Sequence, residues 1–166
     1  MKTKFKVAIV GCGGISKVHA NAWRDSDQID FVAACDDDVQ ALKSFVDQFE
    51  VPNSYLDLRT LLENQKLDVL VITTWPSSHL KNVLEAVRAR VKRVLCEKPL
   101  AINTKQVEQM IQVARKPQTN NTPVLLTEAF MYRHHPLTQE VKSKIRDGTI
   151  GELRSINLVF NTGLTD

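Results

Sequence analysis

Short apolar runs alternate with helically spaced apolar residues along most of the chain. The runs, which are typical of strands buried on both faces of a parallel sheet, span residues 7–10, 29–35, 51–56, 68–73, 93–96 and 124–127. Between them, apolar residues recur every three or four positions, which indicates amphipathic helices lying on that sheet. The alternation from Lys6 to Thr127 therefore predicts an α/β fold, a doubly wound parallel sheet with right-handed crossovers.

Turn and capping residues mark where several of these elements begin. Asp57 and Asn103 each precede a helical stripe, and one of the aspartates at 36–38 precedes another, so each is predicted to be an N-cap. Pro76 fits the first position of a helix. Pro52 lies inside the third apolar run, and because proline cannot donate to a ladder, that strand is expected at an edge of the sheet.

The last part of the chain follows a different pattern. Apolar residues at 137, 141 and 145 mark one helix that Gly148 ends, and residues 152–161 alternate with Ile156, Leu158 and Phe160 on one face. This alternation predicts a strand with one buried face. Since a lone strand cannot form a domain, we expect one domain over residues 1–127 and, over 128–166, a connector, a helix and the first strand of a truncated second α/β domain. Alternatively, the strand pairs with another chain through its edge.

The composition restricts the classes of protein to which the chain could belong. Of the residues, 43% are hydrophobic and 25% are charged, as in ordinary globular proteins, and the net charge of +3 is too small to indicate nucleic-acid binding. No apolar run approaches the length of a membrane span, so no membrane is expected. Cys12, Cys35 and Cys96 are odd in number and lack metal-ligand spacing, which argues against disulfides and a metal site and favours the cytoplasm.

The segment KVAIVGCGGIS joins the first apolar run to the first helix through a glycine cluster. Gly11 allows a sharp turn, and Gly13 lets the backbone approach a pyrophosphate that the N–H groups of the following helix would hold. The GxGxxG fingerprint ends here in Ser16 instead of a third glycine. The predicted cofactor-binding residues of this turn are Gly11, Cys12, Gly13, Gly14, Ile15 and Ser16. The alternative is an ordinary strand-to-helix turn, and His19, just beyond, is interpreted as a packing residue.

An aspartate at the end of the second strand bears on which dinucleotide would bind. Asp36 lies twenty residues after Ser16, close to the distance expected for the acidic residue that binds the adenosine ribose. A carboxylate accepts hydrogen bonds from both ribose hydroxyls and repels a 2′-phosphate, and no arginine follows to hold that phosphate. NAD is therefore favoured over NADP. The alternative is that Asp36 only caps the next helix.

Polar and reactive residues also follow the fourth and fifth strands. In an open α/β sheet the ligand lies beyond the carboxyl ends of the strands, so the segment TTWPSSH would lie beside the cofactor. Its predicted contact residues are Thr73, Thr74, Trp75 and His79. Glu97 and Lys98 follow the fifth strand and are also predicted cofactor-binding residues. A lysine there can stabilise the alkoxide that hydride transfer creates. Without that context a Glu and Lys pair is a solvated surface feature.

These segments together resemble a known family. GCGGISKVH, the Asp36 strand end, TTWPSSH, EKPL and EAFMYRHHP occur in the order found in the Gfo/Idh/MocA oxidoreductases, and EAFMYR is most similar to the branch with glucose-fructose oxidoreductase, xylose dehydrogenase and dihydrodiol dehydrogenase. The resemblance implies a Rossmann domain followed by an α/β domain whose large open sheet carries the homo-oligomer interface and part of the substrate pocket. It also implies that Lys98 contacts the reacting oxygen and that Glu97 lies near the cofactor ribose.

Two departures from the family pattern affect the expected cofactor pocket and the expected catalysis. The usual TPN after the fourth strand is replaced by Trp75, Pro76 and Ser77, which places an indole near the pocket. The resemblance also implies a further catalytic acid or base, commonly a histidine with a nearby aspartate, in the second domain. The sequence reaches Asp166 without such a motif, so full catalysis by these residues alone is not expected.

The function expected is that of the cofactor-binding portion of an NAD-dependent oxidoreductase. It would move hydride between the nicotinamide and a carbinol or carbonyl carbon of a sugar or cyclic polyol, with Lys98 holding the substrate oxygen. Tyr132 and Arg133 are candidate substrate residues, the alternative being connector packing and a structural ion pair. A non-catalytic dinucleotide-binding regulator is the alternative function, and a self-contained NAD-binding module that dimerises through its last strand is a third.

Overall fold

A parallel sheet is the centre of the fold in the computed structural model, which describes residues 4–117 and 122–161. Its strands are β1 (Phe5–Val10), β2 (Ile29–Cys35), β3 (Ser54–Tyr55), β4 (Val69–Ile72), β5 (Arg93–Cys96) and β6 (Leu125–Glu128). They lie in the order β3-β2-β1-β4-β5-β6, and every neighbouring pair is parallel. The doubly wound parallel sheet is thus confirmed. Its strand order reverses between β1 and β4, where such sheets bind nucleotides.

Helices connect successive strands and cover both faces of the sheet. They are α1 (Gly14–Trp23), α2 (Val39–Phe49), α3 (Leu58–Asn64), α4 (Pro76–Arg88) and α5 (Thr104–Arg115). The predicted caps are confirmed: Asp38, Asp57 and Asn103 accept backbone N–H bonds at the starts of α2, α3 and α5. Pro76 occupies the first turn of α4, as predicted.

Strand β1 is buried on both faces and so joins two layers of core. Val7 and Ile9 belong to the layer that contains Ala20, Leu42 and Phe45. The intervening Ala8 and Val10 belong to the other layer, with Leu61, Val83 and Met110. Successive side chains of a strand point to opposite faces, so a strand in this position must be apolar throughout. This explains the continuous apolar run before Gly11.

Both edge strands differ slightly from their predicted bounds. Strand β3 lies at an edge, as Pro52 indicated, but it contains only Ser54 and Tyr55, which pair with Ala34 and Cys35. At the other edge, β6 begins one residue later than predicted. The N–H of Val124 donates to the carbonyl of Ala114 at the end of α5, and is therefore used outside the ladder.

Residues from Phe130 onward form a second compact unit, separate from Met1–Ala129. It contains a 3₁₀ turn (Met131–His134) and helix α6 (Pro136–Arg146). The predicted strand over residues 152–161 is not formed: these residues have no ladder, and Ile156, Leu158 and Phe160 are 67%, 81% and 69% exposed. A strand requires a backbone partner and a surface for its apolar face, and neither is present among the described residues. The assignment of 128–166 to a second domain stays a prediction.

Candidate functional site

A cleft of about 830 Å³ lies at the carboxyl ends of the strands. It is lined within the first unit by residues that follow β1, β2, β4 and β5. Ten of the predicted cofactor-binding residues line it: Gly11, Gly13, Gly14, Ile15, Asp36, Thr73, Thr74, Trp75, Glu97 and Lys98. Cys12, Ser16 and His79 do not line it. The sheet therefore brings together the four segments that the sequence analysis singled out.

The glycine turn has one position that excludes any side chain and two that are open. Gly11 has φ +95°, and a Cβ there would lie 2.7 Å from backbone atoms of Thr73 and Thr74. Gly13 and Gly14 have no atom within 4 Å of where a Cβ would lie. Gly13 caps α1 without a side-chain hydrogen bond, so the cap residue leaves the first N–H groups of the helix available to a ligand. An anion such as a pyrophosphate fits this arrangement.

Cys12 and Ser16 are buried, and each makes a hydrogen bond that stabilises the turn. The N–H of Cys12 donates to Oδ2 of Asp36 over 2.6 Å, and Oγ of Ser16 donates to the carbonyl of Gly13 over 2.5 Å. Burial raises the pKa of the Cys12 thiol to about 12, with the neighbouring charge of Asp36 adding to the effect. Neither residue lines the cleft, and their predicted contact with a cofactor stays a prediction.

The carboxylate of Asp36 is held by two backbone groups and lines the cleft. Oδ2 accepts from Cys12, and Oδ1 accepts from the N–H of Asp38 over 2.9 Å. Asp38, and not Asp36, caps α2, so the capping alternative for Asp36 is wrong. Each oxygen of Asp36 retains acceptor capacity for a ligand hydroxyl. Asp37, Asp38 and Asp57 line the same cleft, which makes the part of it beside β2 acidic.

The segment after β4 joins the glycine turn to the next helix. Oγ1 of Thr73 lies 2.9 Å from the carbonyl of Val10 and 2.7 Å from that of Gly11, so it ties the end of β4 to the end of β1. Oγ1 of Thr74 accepts a 3.1 Å hydrogen bond from the Asn82 amide. The indole of Trp75 is 83% exposed at the start of α4.

His79 lies behind the cleft and connects two turns that line it. The ring is fully buried, with Nε2 2.9 Å from the carbonyl oxygen of Thr74 and Nδ1 3.1 Å from that of Pro99. The predicted contact of His79 with a cofactor stays a prediction. The spacing of His79 from Val83 and Ala86 places it on the buried stripe of α4, a signal available in the sequence. His79 instead links the Thr74 turn to the turn that contains Lys98.

The turn after β5 carries an exposed lysine next to a buried glutamate. Lys98 is exposed at the cleft, and its peptide bond to Pro99 is cis. Glu97 is only 5% exposed, and its Oε1 lies 2.9 Å from Nε2 of His19. Glu97 is therefore not the solvated partner of Lys98. His19, interpreted from the sequence as a packing residue, has a polar partner that no nearby residue in the sequence indicated.

Tyr132 and Arg133 belong to the second unit. The ring of Tyr132 lies 6.0 Å from that of Phe130 and 6.4 Å from that of Phe160, centroid to centroid. The backbone carbonyl of Arg133 accepts a hydrogen bond from the Gln139 side chain. Their role toward a substrate stays a prediction.

Two classes of site can be considered for the described parts of the chain. Over residues 4–117 and 122–161, no three histidine, cysteine, aspartate or glutamate side chains are grouped so that they could hold a metal ion. The helices of the same residues include none long and apolar enough to cross a bilayer.

Comparison with known proteins identifies related sequences and structures. Residues 5–122 match the sequence model of the GFO_IDH_MocA oxidoreductase family, described as an NAD-binding Rossmann fold. D-apiose dehydrogenase of Paraburkholderia graminis is 34% identical over 148 residues, which are 89% of this chain and 38% of that protein. Trans-1,2-dihydrobenzene-1,2-diol dehydrogenase of Danio rerio is 30% identical over 84% of this chain and 40% of its own length.

A solved structure has the same fold. An oxidoreductase from Agrobacterium radiobacter, in complex with NAD⁺, L-tartaric acid and magnesium, superposes with a TM-score of 0.80 at 29% identity, over 90% of this chain and 42% of that one. The chain thus spans about two fifths of the length of the relatives that it matches.

Proposed function

The chain belongs to the Gfo/Idh/MocA oxidoreductase family, of which it carries the NAD-binding Rossmann domain, and we propose that it is the cofactor-binding portion of a sugar or cyclic polyol dehydrogenase. The reaction would transfer hydride between the nicotinamide and a carbinol or carbonyl carbon. The observation that carries this proposal is the placement of Lys98 on the same cleft as the open glycines and Asp36. The relatives named for acting on apiose and on a cyclic diol support the substrate class.

The groups that line the cleft suit the parts of an NAD molecule. The N–H groups at the start of α1 would hold the pyrophosphate, and Asp36 would accept the hydroxyls of the adenosine ribose. Thr73, Thr74 and Trp75 would lie beside the nicotinamide half, together with Glu97. When bound, NAD supplies the hydride acceptor, and its reduced form supplies the donor.

Lys98 has the chemistry to act on the substrate oxygen. An ammonium group beside the reacting carbon donates a hydrogen bond to a carbonyl or hydroxyl oxygen, and it stabilises the negative charge that this oxygen carries during hydride transfer. The backbone of Lys98 is held by the carboxylate of Glu97, which accepts from its N–H over 3.1 Å. Lys98 is exposed and lines the cleft, so a substrate bound there would lie near its side chain.

Substitution of Lys98 tests its assigned role. Lys98→Met keeps the length of the side chain and removes its charge, so NADH binding should remain within about threefold, while kcat/KM in an active form of the protein should fall by about 10²-fold or more. Lys92→Met is the matched control, because Lys92 pairs with Asp68 before β4, at the end of the sheet away from the cleft. Undiminished turnover in Lys98→Met would overturn the assignment.

The acidic part of the cleft supports a preference for NAD. A 2′-phosphate on the adenosine ribose would meet Asp36 and the aspartates beside it, and like charges at such distances repel. NADH should therefore bind at least about tenfold more tightly than NADPH, a difference of about 1.4 kcal/mol, in fluorescence titrations of the chain. Asp36→Asn, which removes the charge and retains an acceptor oxygen, should narrow that ratio. Tighter binding of NADPH to the unmodified chain would contradict the assignment of Asp36.

Two further expectations stand beside this proposal. Cys12, Cys35 and Cys96 are buried free thiols, which supports a reducing, cytoplasmic environment. Homo-oligomerisation through the sheet of a second domain is proposed from the family resemblance. A non-catalytic regulator of the same fold would bind NADH and turn over neither sugars nor polyols.

A further inference from the structure

A partly buried histidine and glutamate pair connects the phosphate-binding helix to the lysine turn. Nε2 of His19 lies 2.9 Å from Oε1 of Glu97, and the side chains are 18% and 7% exposed. His19 is on α1 and Glu97 follows β5, and in the sheet β4 lies between β5 and the strand that precedes α1. The pair therefore spans the place where the strand order reverses.

Three hydrogen bonds hold Glu97 in place. Its N–H donates to the carbonyl of Ile72 over 2.9 Å, which continues the pairing of β5 with β4. Oε1 accepts from His19, and Oε2 accepts from the N–H of Lys98 over 3.1 Å. A carboxylate only accepts hydrogen bonds, so one oxygen binds the imidazole and the other binds the backbone N–H of Lys98. The orientation of the imidazole therefore affects the position of the Lys98 backbone.

The imidazole of His19 also contacts an aromatic side chain of its own helix. Its ring lies 5.9 Å from that of Trp23, one turn later on α1, and Trp23 packs edge-on against Phe31 at 5.2 Å. Ile15, one turn earlier on the same face, lines the cleft. The helix whose N-terminus faces the cleft therefore also carries the group that orients Glu97.

We propose that His19 is a positioning residue that acts through Glu97 on the Lys98 turn and on the cofactor's nicotinamide half. The inference rests on the proposed function, since it gives the Glu97 carboxylate its place beside the bound dinucleotide. Without the imidazole, a nearly buried carboxylate loses a charge-assisted hydrogen bond, and the group that holds the Lys98 N–H becomes free to rotate.

Two substitutions at position 19 separate positioning from packing. His19→Leu retains apolar volume and removes the donor, whereas His19→Gln retains a side-chain N–H donor. Positioning predicts that His19→Leu weakens NADH binding by about tenfold, the loss typical of a charge-assisted hydrogen bond, and that His19→Gln stays within about threefold. A packing role predicts the opposite order. The two are distinguished by fluorescence titration of NADH, with Lys92→Met as the control for loss of an ion pair away from the cleft.

A double-variant cycle tests whether His19 acts through Glu97. If it does, Glu97→Gln combined with His19→Leu should bind NADH about as weakly as the weaker single variant, because both remove the same interaction. Multiplication of the two single effects would overturn the proposal. In an active form of the protein, His19→Leu should lower kcat as well as raise KM, since Lys98 is displaced in the reacting complex.

A readout in the cofactor-free chain keeps this inference independent of the proposed function. Hydrogen exchange of the Lys98 amide should accelerate by about tenfold or more in His19→Leu and by less than about threefold in His19→Gln. Failure of the unmodified chain to bind NADH or NADPH would remove the proposed function, while the exchange rates still decide the role of His19. Equal exchange in all three proteins would overturn it.

Discussion

Gly11 and Gly13 lie two residues apart, and the reason for lacking a side chain differs between them. At Gly11 the requirement comes from the fold, because its φ is +95° and a Cβ would meet the backbone of Thr73 at 2.7 Å. At Gly13 the fold itself would tolerate a side chain, since φ is −77° and no atom lies within 4 Å of where a Cβ would lie. The space beside Gly13 is therefore available to a ligand.

Alanine substitutions at the two positions should separate stability from binding. Gly11→Ala should lower the free energy of unfolding by about 2 to 4 kcal/mol, because it combines a strained φ with a backbone clash. Gly13→Ala should change that free energy by less than about 1 kcal/mol and weaken NADH binding by about tenfold or more, since its methyl group would occupy the approach of the pyrophosphate. Urea denaturation and NADH titration measure the two effects. Equal losses of stability in the two variants would contradict this division.

Individual residues differed in how far the sequence could place them. Asp36 was placed correctly at the cleft because its position depends on a strand end and a spacing, both of which are local. His19 was not, because its partner lies 78 residues away and only the sheet brings the two together. For His79, the proximity of its turn to the cleft was evident, but the direction of its ring depends on which face of α4 packs inward.

At the scale of elements, the cap of α3 makes stability depend on pH. The backbone N–H of Thr60 donates to Asp57 over 2.9 Å, and this bond is the main cause that lowers the pKa of that carboxyl below its ordinary value. A carboxyl with a lowered native pKa stabilises the fold above its unfolded pKa of about 3.9, and this contribution is lost as pH falls through the native value.

Substitution of Asp57 tests this dependence. Asp57→Asn retains an N-cap without a titrating group, so its stability should approach or exceed that of the unmodified chain as pH falls below about 4. Asp57→Ala, which removes the cap, should cost about 1 kcal/mol at pH 7. Thermal unfolding between about pH 3 and 7 measures both effects. A constant difference between Asp57→Asn and the unmodified chain across that range would contradict the role of the ionised carboxylate.

The elements that were predicted well are those whose formation depends on a short stretch of sequence. Strand β5 and the caps of α2, α3 and α5 depend on neighbouring residues. The buried face of α1 is less evident from apolar spacing: Val18, three residues after Ile15, is 62% exposed, whereas Ser16 and Ala20 are buried. Small residues let this helix approach the sheet closely, and a search for large apolar side chains does not detect them. The absence of a ladder at 152–161 has the same origin, since alternation identifies a suitable face and cannot supply the partner.

Over the whole molecule, three thiols are distributed through the interior of the first unit. Burial, as the largest cause, raises the pKa values of Cys12, Cys35 and Cys96 to about 12 each. The native chain therefore retains these protons at pH values where an unfolded chain, with thiol pKa values of about 8.5, releases them. Stability should be fully present below about pH 8.5 and should decline as pH rises toward the native values.

Thiol labelling should consequently report unfolding. At pH 8, a disulfide reagent that requires thiolate should label the native chain at least about 10²-fold more slowly than the urea-unfolded chain, and all three cysteines should become reactive on unfolding. Kinetics followed by absorbance, with mass spectrometry to identify each site, measure this. Rapid labelling of one cysteine in the native chain would show that its surroundings open without global unfolding.

The exposed Trp75 also makes the fluorescence of the chain sensitive to a dinucleotide bound in the cleft. The chain contains two tryptophans, of which Trp23 is packed between His19 and Phe31 while Trp75 stands 83% exposed on the rim of the cleft. Indole emission overlaps the absorption band of a reduced nicotinamide, so a dinucleotide held beside Trp75 would quench its fluorescence by energy transfer. The molecule thus carries its own donor fluorophore at the site, and the emission of the second tryptophan depends on the packing of α1.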